Sequence, residues 1–117
     1  MTEIVFSEIA RCLLPILDRV AARGDTITYA ELAREAGIRP PHSIHRTAEA
    51  LEEILRADYA ATRPLRAAVA VSAKRGGIPA PGFFQLAGEI GLYFGPDSGP
   101  QAAAFHALEL KRLRDDL

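Results

Sequence analysis

The sequence predicts a mainly α-helical single domain with a small β element, built around a helix-turn-helix or winged-helix-like core at about residues 26–77. Three observations predict this fold. Apolar residues recur at spacings of three and four in several segments, a glycine follows a short helix inside the core, and 117 residues have room for one hydrophobic core. The composition, 49% hydrophobic and 25% charged, is that of an ordinary globular protein. We therefore expect one domain over 1–117, with a C-terminal helix at about 100–116.

The first predicted helix follows from an apolar stripe with helical spacing. The stripe consists of Ile9, Leu13, Ile16, Leu17 and Val20. Pro15 lies inside this segment, and because proline removes a backbone hydrogen bond we expect a kink or a break there. Cys12 is the single cysteine, which excludes an internal disulfide. Beside Leu13 and Leu14, we expect it to be a buried and inert thiol.

The second helix begins with a capping box formed by Thr28 and Glu31, and Gly37 closes it. Ala33 and Gly37 hold the two small positions of a helix-turn-helix. The alanine lets the two helices cross closely, and the glycine permits a left-handed turn. The same pattern also fits two packed amphipathic helices that have no role in DNA binding.

A third helix is expected to begin near His42 or Ser43, after the Pro40-Pro41 pair. Its predicted buried stripe is Ile44, Ala48, Leu51, Ile54 and Leu55. The opposite face is polar throughout, as in an amphipathic helix that packs on a core. In a helix-turn-helix this would be the helix that approaches DNA.

The segment Leu65–Val71 alternates in a way that predicts a strand, and Lys74–Gly77 is the turn after it. Pro81 fits the first turn of a short helix. This helix carries Phe83 and Phe84, and we expect one ring to anchor the core while the other covers an apolar rim or a pocket mouth.

The last helix is expected to start near Pro100, capped by Asp97 or Ser98. Its predicted apolar stripe is Ala103, His106, Leu110, Leu113 and Leu117. A terminal helix frays unless this face is covered. Docking on the first helix of the same chain would cover it, and so would pairing with a second copy in a homodimer.

The net charge of −1 gives no overall attraction to nucleic acid, but the charges are unevenly distributed along the chain. Acidic residues are absent between Glu35 and Glu49 and again between Asp58 and Glu89. The candidate DNA-binding residues in these two intervals are Arg39, His42, His45, Arg46, Arg66, Lys74 and Arg75. We expect them to form a local positive patch for phosphate contact.

The third helix continues with Glu49, Glu52 and Glu53, which would repel DNA. Only its N-terminal end is therefore expected to approach a duplex, with the turn at Lys74 and Arg75 acting as a wing. The competing hypothesis is a protein-interaction module that does not bind nucleic acid.

The sequence contains no pattern that predicts an enzyme, a metal or a cofactor. His42 and His45 are three residues apart, but no third ligand is near them. No serine lies in a nucleophile-elbow sequence, and Gly76-Gly77 lacks the Lys-Ser/Thr ending of a phosphate-binding loop. The apolar run from Cys12 is too short to span a bilayer, and the N-terminus has no basic signal region. We expect a cytoplasmic protein that does not enter membranes.

Three segments carry a resemblance to a group of bacterial proteins. Ile27–Ala33, Arg63–Val71 and Gly77–Phe84 resemble the Tyr-Gly-Glu-Leu-Ala, Arg-Pro-Leu and Gly-x-Pro-x-x-Gly-Phe series of that group, over roughly two thirds of the chain. This resemblance implies a fold and an order of motifs, and no activity.

Thr28–Ala33 is also distantly similar to the Thr-Tyr-Gly-x-Val-Ala helix in the winged-helix domain of alkyltransferase-like DNA-lesion proteins. The Pro-Cys-His-Arg-Val element that carries alkyl transfer has no counterpart here, because Cys12 lies far upstream. The similarity therefore implies a non-catalytic DNA-binding form. Because that element is missing, the similarity does not extend to a lesion pocket.

Overall fold

Five α-helices and a two-stranded parallel sheet make up residues 6–116, the part of the chain that our computed structural model describes. In chain order the elements are α1 (Glu8–Ala22), β1 (Ile27–Thr28), α2 (Tyr29–Glu35), α3 (Ser43–Ala60), β2 (Ala70–Val71), α4 (Pro81–Glu89) and α5 (Pro100–Asp115). This confirms a mainly α fold with a small β element. None of the described helices is long and apolar enough to cross a membrane.

Helix α1 packs on α3 and buries its apolar stripe from Ala10 to Ala21. It begins at Ser7, whose hydroxyl accepts a hydrogen bond from the Ala10 amide at 3.2 Å. The helix continues through Pro15 without a break, and this residue lies on the exposed side. Cys12 lies on the same exposed side, so the expectation of a buried thiol is wrong.

The capping box of α2 is confirmed in both directions. The Glu31 amide donates to the Thr28 hydroxyl and the Thr28 amide donates to the Glu31 carboxylate, each at 3.1 Å. Gly37 has φ 72°, the left-handed conformation that the turn requires. Residue His42 is also left-handed, with φ 61°, directly before α3.

The buried stripe of α3 differs from the predicted one at its start. Ile44 is 52% exposed, whereas Thr47 and Ala50 are buried. The Thr47 hydroxyl donates to the Ser43 carbonyl at 2.8 Å, which satisfies its polar group inside the core. A polar residue with a local partner thus belongs to the buried face of α3, whereas the isoleucine that hydrophobicity assigned to that face is exposed.

The two strands pair in parallel, with Ile27 opposite Ala70 and Thr28 opposite Val71. The predicted strand over Leu65–Val71 is mostly wrong, because Arg66–Val69 forms a 3-10 helix. Ala67, Ala68 and Val69 are all buried there, so an alternation of apolar residues did not mark two faces of a strand. An antiparallel bridge between Ser72 and Ile78 then closes the loop 72–78, which contains a second 3-10 helix, Ala73–Arg75.

Both phenylalanines of α4 are buried, with Phe83 at 6% and Phe84 at 2% exposure. Their rings meet edge to face at 5.1 Å between centroids, and both lie within 6.4 Å of the Phe105 ring on α5. Both rings thus belong to the core, so the expected division between them is wrong, but Phe83 also lines a cavity, as was expected of one ring. The Tyr93 ring also contacts Phe84, so α4 is covered on more than one side.

Helix α5 begins at Pro100 as predicted, but its N-cap is Gly99 and no side chain caps it. The cap predicted at Asp97 or Ser98 is thus wrong. The helix docks on its own chain through Ala102, His106, Glu109 and Leu113. Ala103 is exposed, so its place in the predicted stripe is wrong, and Leu117 lies outside the described residues. The His106 Nε2–H donates to the Ala68 carbonyl at 2.8 Å, which ties α5 to the buried 3-10 helix.

Candidate nucleic-acid interface and an adjoining cavity

The start of α3 gathers four of the seven candidate DNA-binding residues. Arg39, His42 and His45 are exposed, and Arg46 is half-buried. The Arg46 guanidinium donates to the carbonyls of Arg39 at 3.0 Å and Pro41 at 3.4 Å. Arg46 therefore holds the connection between α2 and α3 in place and keeps its positive charge at this end of the helix.

The acidic residues of α3 lie beyond this end. Glu49 accepts from the His45 ring at 3.0 Å, an ion pair when the imidazole is protonated. Glu53 accepts a hydrogen bond from the Ser7 amide at 2.6 Å, so it serves the start of α1. The candidate basic residues of α3 consequently lie in its first turn and in the preceding loop, whereas Arg56 farther along the helix pairs with Glu89.

Arg66 belongs to the interior rather than to a surface patch. Its guanidinium is 11% exposed and donates to Asp58 at 2.9 and 3.2 Å, and Asp18 lies 3.6 Å away. Burial lowers the pKa of Arg66, but the hydrogen bonds and charges of Asp58 and Asp18 outweigh this and raise it overall. The structure corrects the expectation that Arg66 is available for phosphate.

Arg75 is also engaged within the chain. Its Nε donates to the Pro79 carbonyl at 3.0 Å, and its terminal nitrogen donates to the Asp97 carbonyl. The adjacent Lys74 is exposed and makes no side-chain hydrogen bond to any described residue. Of the predicted wing pair, Lys74 alone presents its charge fully to solvent.

A cavity of about 200 Å³ lies next to α3, and the sequence did not predict it. Its lining comes from Tyr29, Ala48, Leu51, Glu52, Leu55, Ala67, Ala80, Gly82 and Phe83. The Tyr29 hydroxyl accepts a hydrogen bond from the Ala80 amide at 2.8 Å. Burial raises the pKa of Tyr29, so the phenol is neutral at physiological pH.

The feature of the sequence that corresponds to this cavity is the set of three motif segments described above. Tyr29, Ala67 and Gly82 come from three different motif segments, and the fold brings them to one cavity. Sequence reasoning treated these segments as markers of the fold, and Glu52 as a source of repulsion toward DNA. The sequence alone does not bring residues up to 54 positions apart into one lining.

The part of the chain between residues 6 and 116 contains no group of three or more metal-ligating side chains. A shallow groove of about 320 Å³ runs beside the basic end of α3 and is lined in part by Cys12, Arg39 and Arg46. The basic residues thus face a concave surface between α1 and the α2–α3 connection.

Comparison of the chain with protein-family models, curated proteins and solved structures gave no match. The function is therefore inferred from the geometry of the residues themselves.

Proposed function

We propose that the protein is a non-catalytic DNA-binding or regulatory protein that contacts the phosphate backbone through the N-terminal end of α3. One observation carries this proposal. Arg39, His42 and His45 are exposed at a single helix end, with Arg46 beside them and no acidic residue from 36 to 48. Basic and hydrogen-bonding side chains clustered in this way neutralise phosphates and release counterions.

Lys74 is proposed to make a second contact with the duplex, in the manner of a wing. Ala48 of α3 and Ala80 line the same cavity, and Ala80 lies two residues after the bridge that closes the loop 72–78. Ala80, just after this loop, and α3 thus lie beside the same cavity. A duplex that meets the first turn of α3 on the side of that cavity could also meet Lys74.

The acidic residues of α3 determine the mode of approach. Glu49 and Glu52 lie one and two turns after His45, and a helix lying along a groove would bring them against phosphates. Approach by the helix end keeps Glu52 away from the backbone. Glu49 is paired with His45, so Arg39, His42 and Arg46 remain for phosphate contact. Few contacts of this kind give sequence-tolerant binding of modest affinity.

Fluorescence anisotropy with a short labelled duplex, measured over a range of salt concentrations, tests the proposal. Binding should weaken steeply as salt rises, and Arg39→Ala and Lys74→Ala should each reduce the salt slope by about one unit. Arg56→Ala is the matched control, because Arg56 is exposed at the other end of α3 and pairs with Glu89. A dissociation constant weaker than about 100 µM at low salt would overturn the DNA-binding function.

The second candidate function is a protein-interaction module. Ile44 is 52% exposed within the first turn of α3, and Phe94 is 79% exposed. Apolar side chains of this size at the surface suit a protein partner better than a phosphate backbone. Absence of DNA binding at low salt would favour this function.

A homodimer through α5 and a cytoplasmic location stay predictions. The face of α5 that carries His106 and Leu113 is covered by the same chain, so a second copy is not needed to keep the end of this helix from fraying. Leu108 is 48% exposed on the other side. Sedimentation of the wild type and Leu108→Ser at micromolar concentration tests this dimer, which should weaken in the variant.

A further inference from the structure

We propose that the cavity lined by Tyr29, Glu52 and Phe83 binds a small organic cation, namely a primary ammonium group on an apolar body of about six to eight non-hydrogen atoms. This site stands independently of DNA binding, because none of the exposed basic residues lines it.

The size of the cavity sets the size of the ligand. Its volume is about 200 Å³, and an apolar protein cavity of about 150 Å³ is large enough to hold benzene. Leu51, Leu55 and Phe83 supply apolar walls. A single six-membered ring with a short substituent therefore fits, and a fused ring system of much larger volume does not.

Glu52 determines the charge of the ligand. It is half-buried, and its carboxylate has no hydrogen-bond or ion-pair partner among the described residues. A Cβ added at Gly82 would lie 3.3 Å from its Oε2, so the glycine leaves the carboxylate room beside the start of α4. An ammonium group placed here gains a charge-assisted hydrogen bond that is stronger than a neutral one.

No other group in the lining carries a charge. Tyr29 is neutral because burial raises the pKa of its phenol, and its oxygen already accepts from the Ala80 amide. The positive charge of Arg75 reaches Tyr29, but Arg75 is not part of the lining, and its guanidinium is held by the carbonyls of Pro79 and Asp97. The lining thus carries a single negative charge at one end of an apolar space, which selects cations over neutral or anionic ligands.

Titration with benzylamine, followed by two-dimensional ¹H–¹⁵N NMR at neutral pH, tests this inference. Benzyl alcohol and benzoate serve as neutral and anionic probes of nearly the same shape. We expect benzylamine to shift the amide signals of Ala48, Gly82 and Phe83 with a dissociation constant of about 1 mM or tighter. Benzyl alcohol should bind about tenfold more weakly, and benzoate more weakly still.

Glu52→Gln should remove the preference for the cation, so that benzylamine and benzyl alcohol bind with similar affinity. Glu49→Gln is the matched control, because Glu49 is an exposed carboxylate of α3 that lies outside the cavity lining. Both positions are accessible to solvent, and the dispersion of the amide spectrum verifies that each variant is folded. Gly82→Ala should also weaken benzylamine binding, since the added Cβ crowds the Glu52 carboxylate.

Three results would overturn the inference. They are the absence of any shift up to about 10 mM benzylamine, equal affinity of the wild type for benzylamine and benzyl alcohol, and an unchanged preference for benzylamine in Glu52→Gln. DNA binding is not measured in any of these titrations, so their failure would leave the proposed function standing.

Discussion

The two acid-free stretches of the sequence, 36–48 and 59–88, differ in how the fold places their basic residues. The first presents Arg39, His42 and His45 to solvent at the start of α3. In the second, Arg66 is half-buried and paired with the buried Asp58, and Arg75 is bonded to main-chain carbonyls. Of the candidate DNA-binding residues, the first stretch thus leaves three of its four exposed, whereas the second leaves only Lys74 of its three exposed.

The difference lies in what borders each stretch. Asp58 directly precedes the second stretch, is 1% exposed, and can be buried only with a partner for its charge. It accepts hydrogen bonds from the backbone amide of Arg66 as well as from its guanidinium. The absence of acidic residues within a stretch therefore does not mean that its basic residues are free, because a buried acid at the edge of the stretch can pair with one of them.

Arg66→Ala should produce the largest effect on stability. It removes the guanidinium and leaves the buried Asp58 carboxylate with the backbone amide as its remaining hydrogen-bond donor. We expect a loss of about 3–5 kcal/mol in the free energy of unfolding, measured by urea denaturation. Arg39→Ala, at an exposed site of the first stretch, should change it by less than about 0.5 kcal/mol. Similar losses in the two variants would remove the distinction between the stretches.

Arg75→Ala should have an intermediate effect. It breaks the hydrogen bonds to the Pro79 and Asp97 carbonyls, which connect the segment before α4 to the loop before α5. We expect a loss of about 1–3 kcal/mol in urea denaturation. The adjacent Lys74→Ala is the control, with a change below about 0.5 kcal/mol. A greater loss in Lys74→Ala than in Arg75→Ala would contradict the assignment of Arg75 to the framework.

The smallest effect should be a pH dependence that originates at His106. Burial lowers the pKa of His106, and its hydrogen bond to the Ala68 carbonyl offsets this only in part. Since the unfolded chain then binds a proton more readily, this contribution to stability is complete above a pH of about 6.5 and is lost as the pH falls further.

Urea denaturation between about pH 7.5 and 5.5 measures this contribution, because most carboxylates remain ionised over that range. The free energy of unfolding should decrease as the pH falls in the wild type and in His42→Gln, whose substituted residue is exposed in the first stretch. His106→Asn should flatten the decrease. An unchanged pH dependence in His106→Asn would show that another group is responsible.

Local rules predicted the elements whose stabilising contacts are close in sequence. The Thr28–Glu31 capping box, the left-handed Gly37 and the proline at the start of α4 all depend on neighbours within a few residues. The apolar stripe of α1 was also correct, since one face of a helix packing on a core repeats every three or four residues.

Contacts between distant residues account for most of what was missed. The 3-10 helix Arg66–Val69 is buried on all sides by α1, α3 and α5, so its residues do not alternate between core and solvent. Phe83 and Phe84 are both buried because Tyr93 and Phe105 cover α4 from later in the chain. For the candidate interface, the basic end of α3 was predictable from the sequence, whereas the engagement of Arg66 and Arg75 depends on partners up to 48 positions away.

The exposed position of Cys12 gives this chain a ready point for a chemical label. It is the single cysteine in the sequence, and it lines the same groove as Arg39 and Arg46. A thiol-reactive fluorophore would therefore attach at one defined atom without any engineered substitution. Because the dye would lie beside the basic end of α3, its emission should report directly whether a duplex or a protein occupies that end.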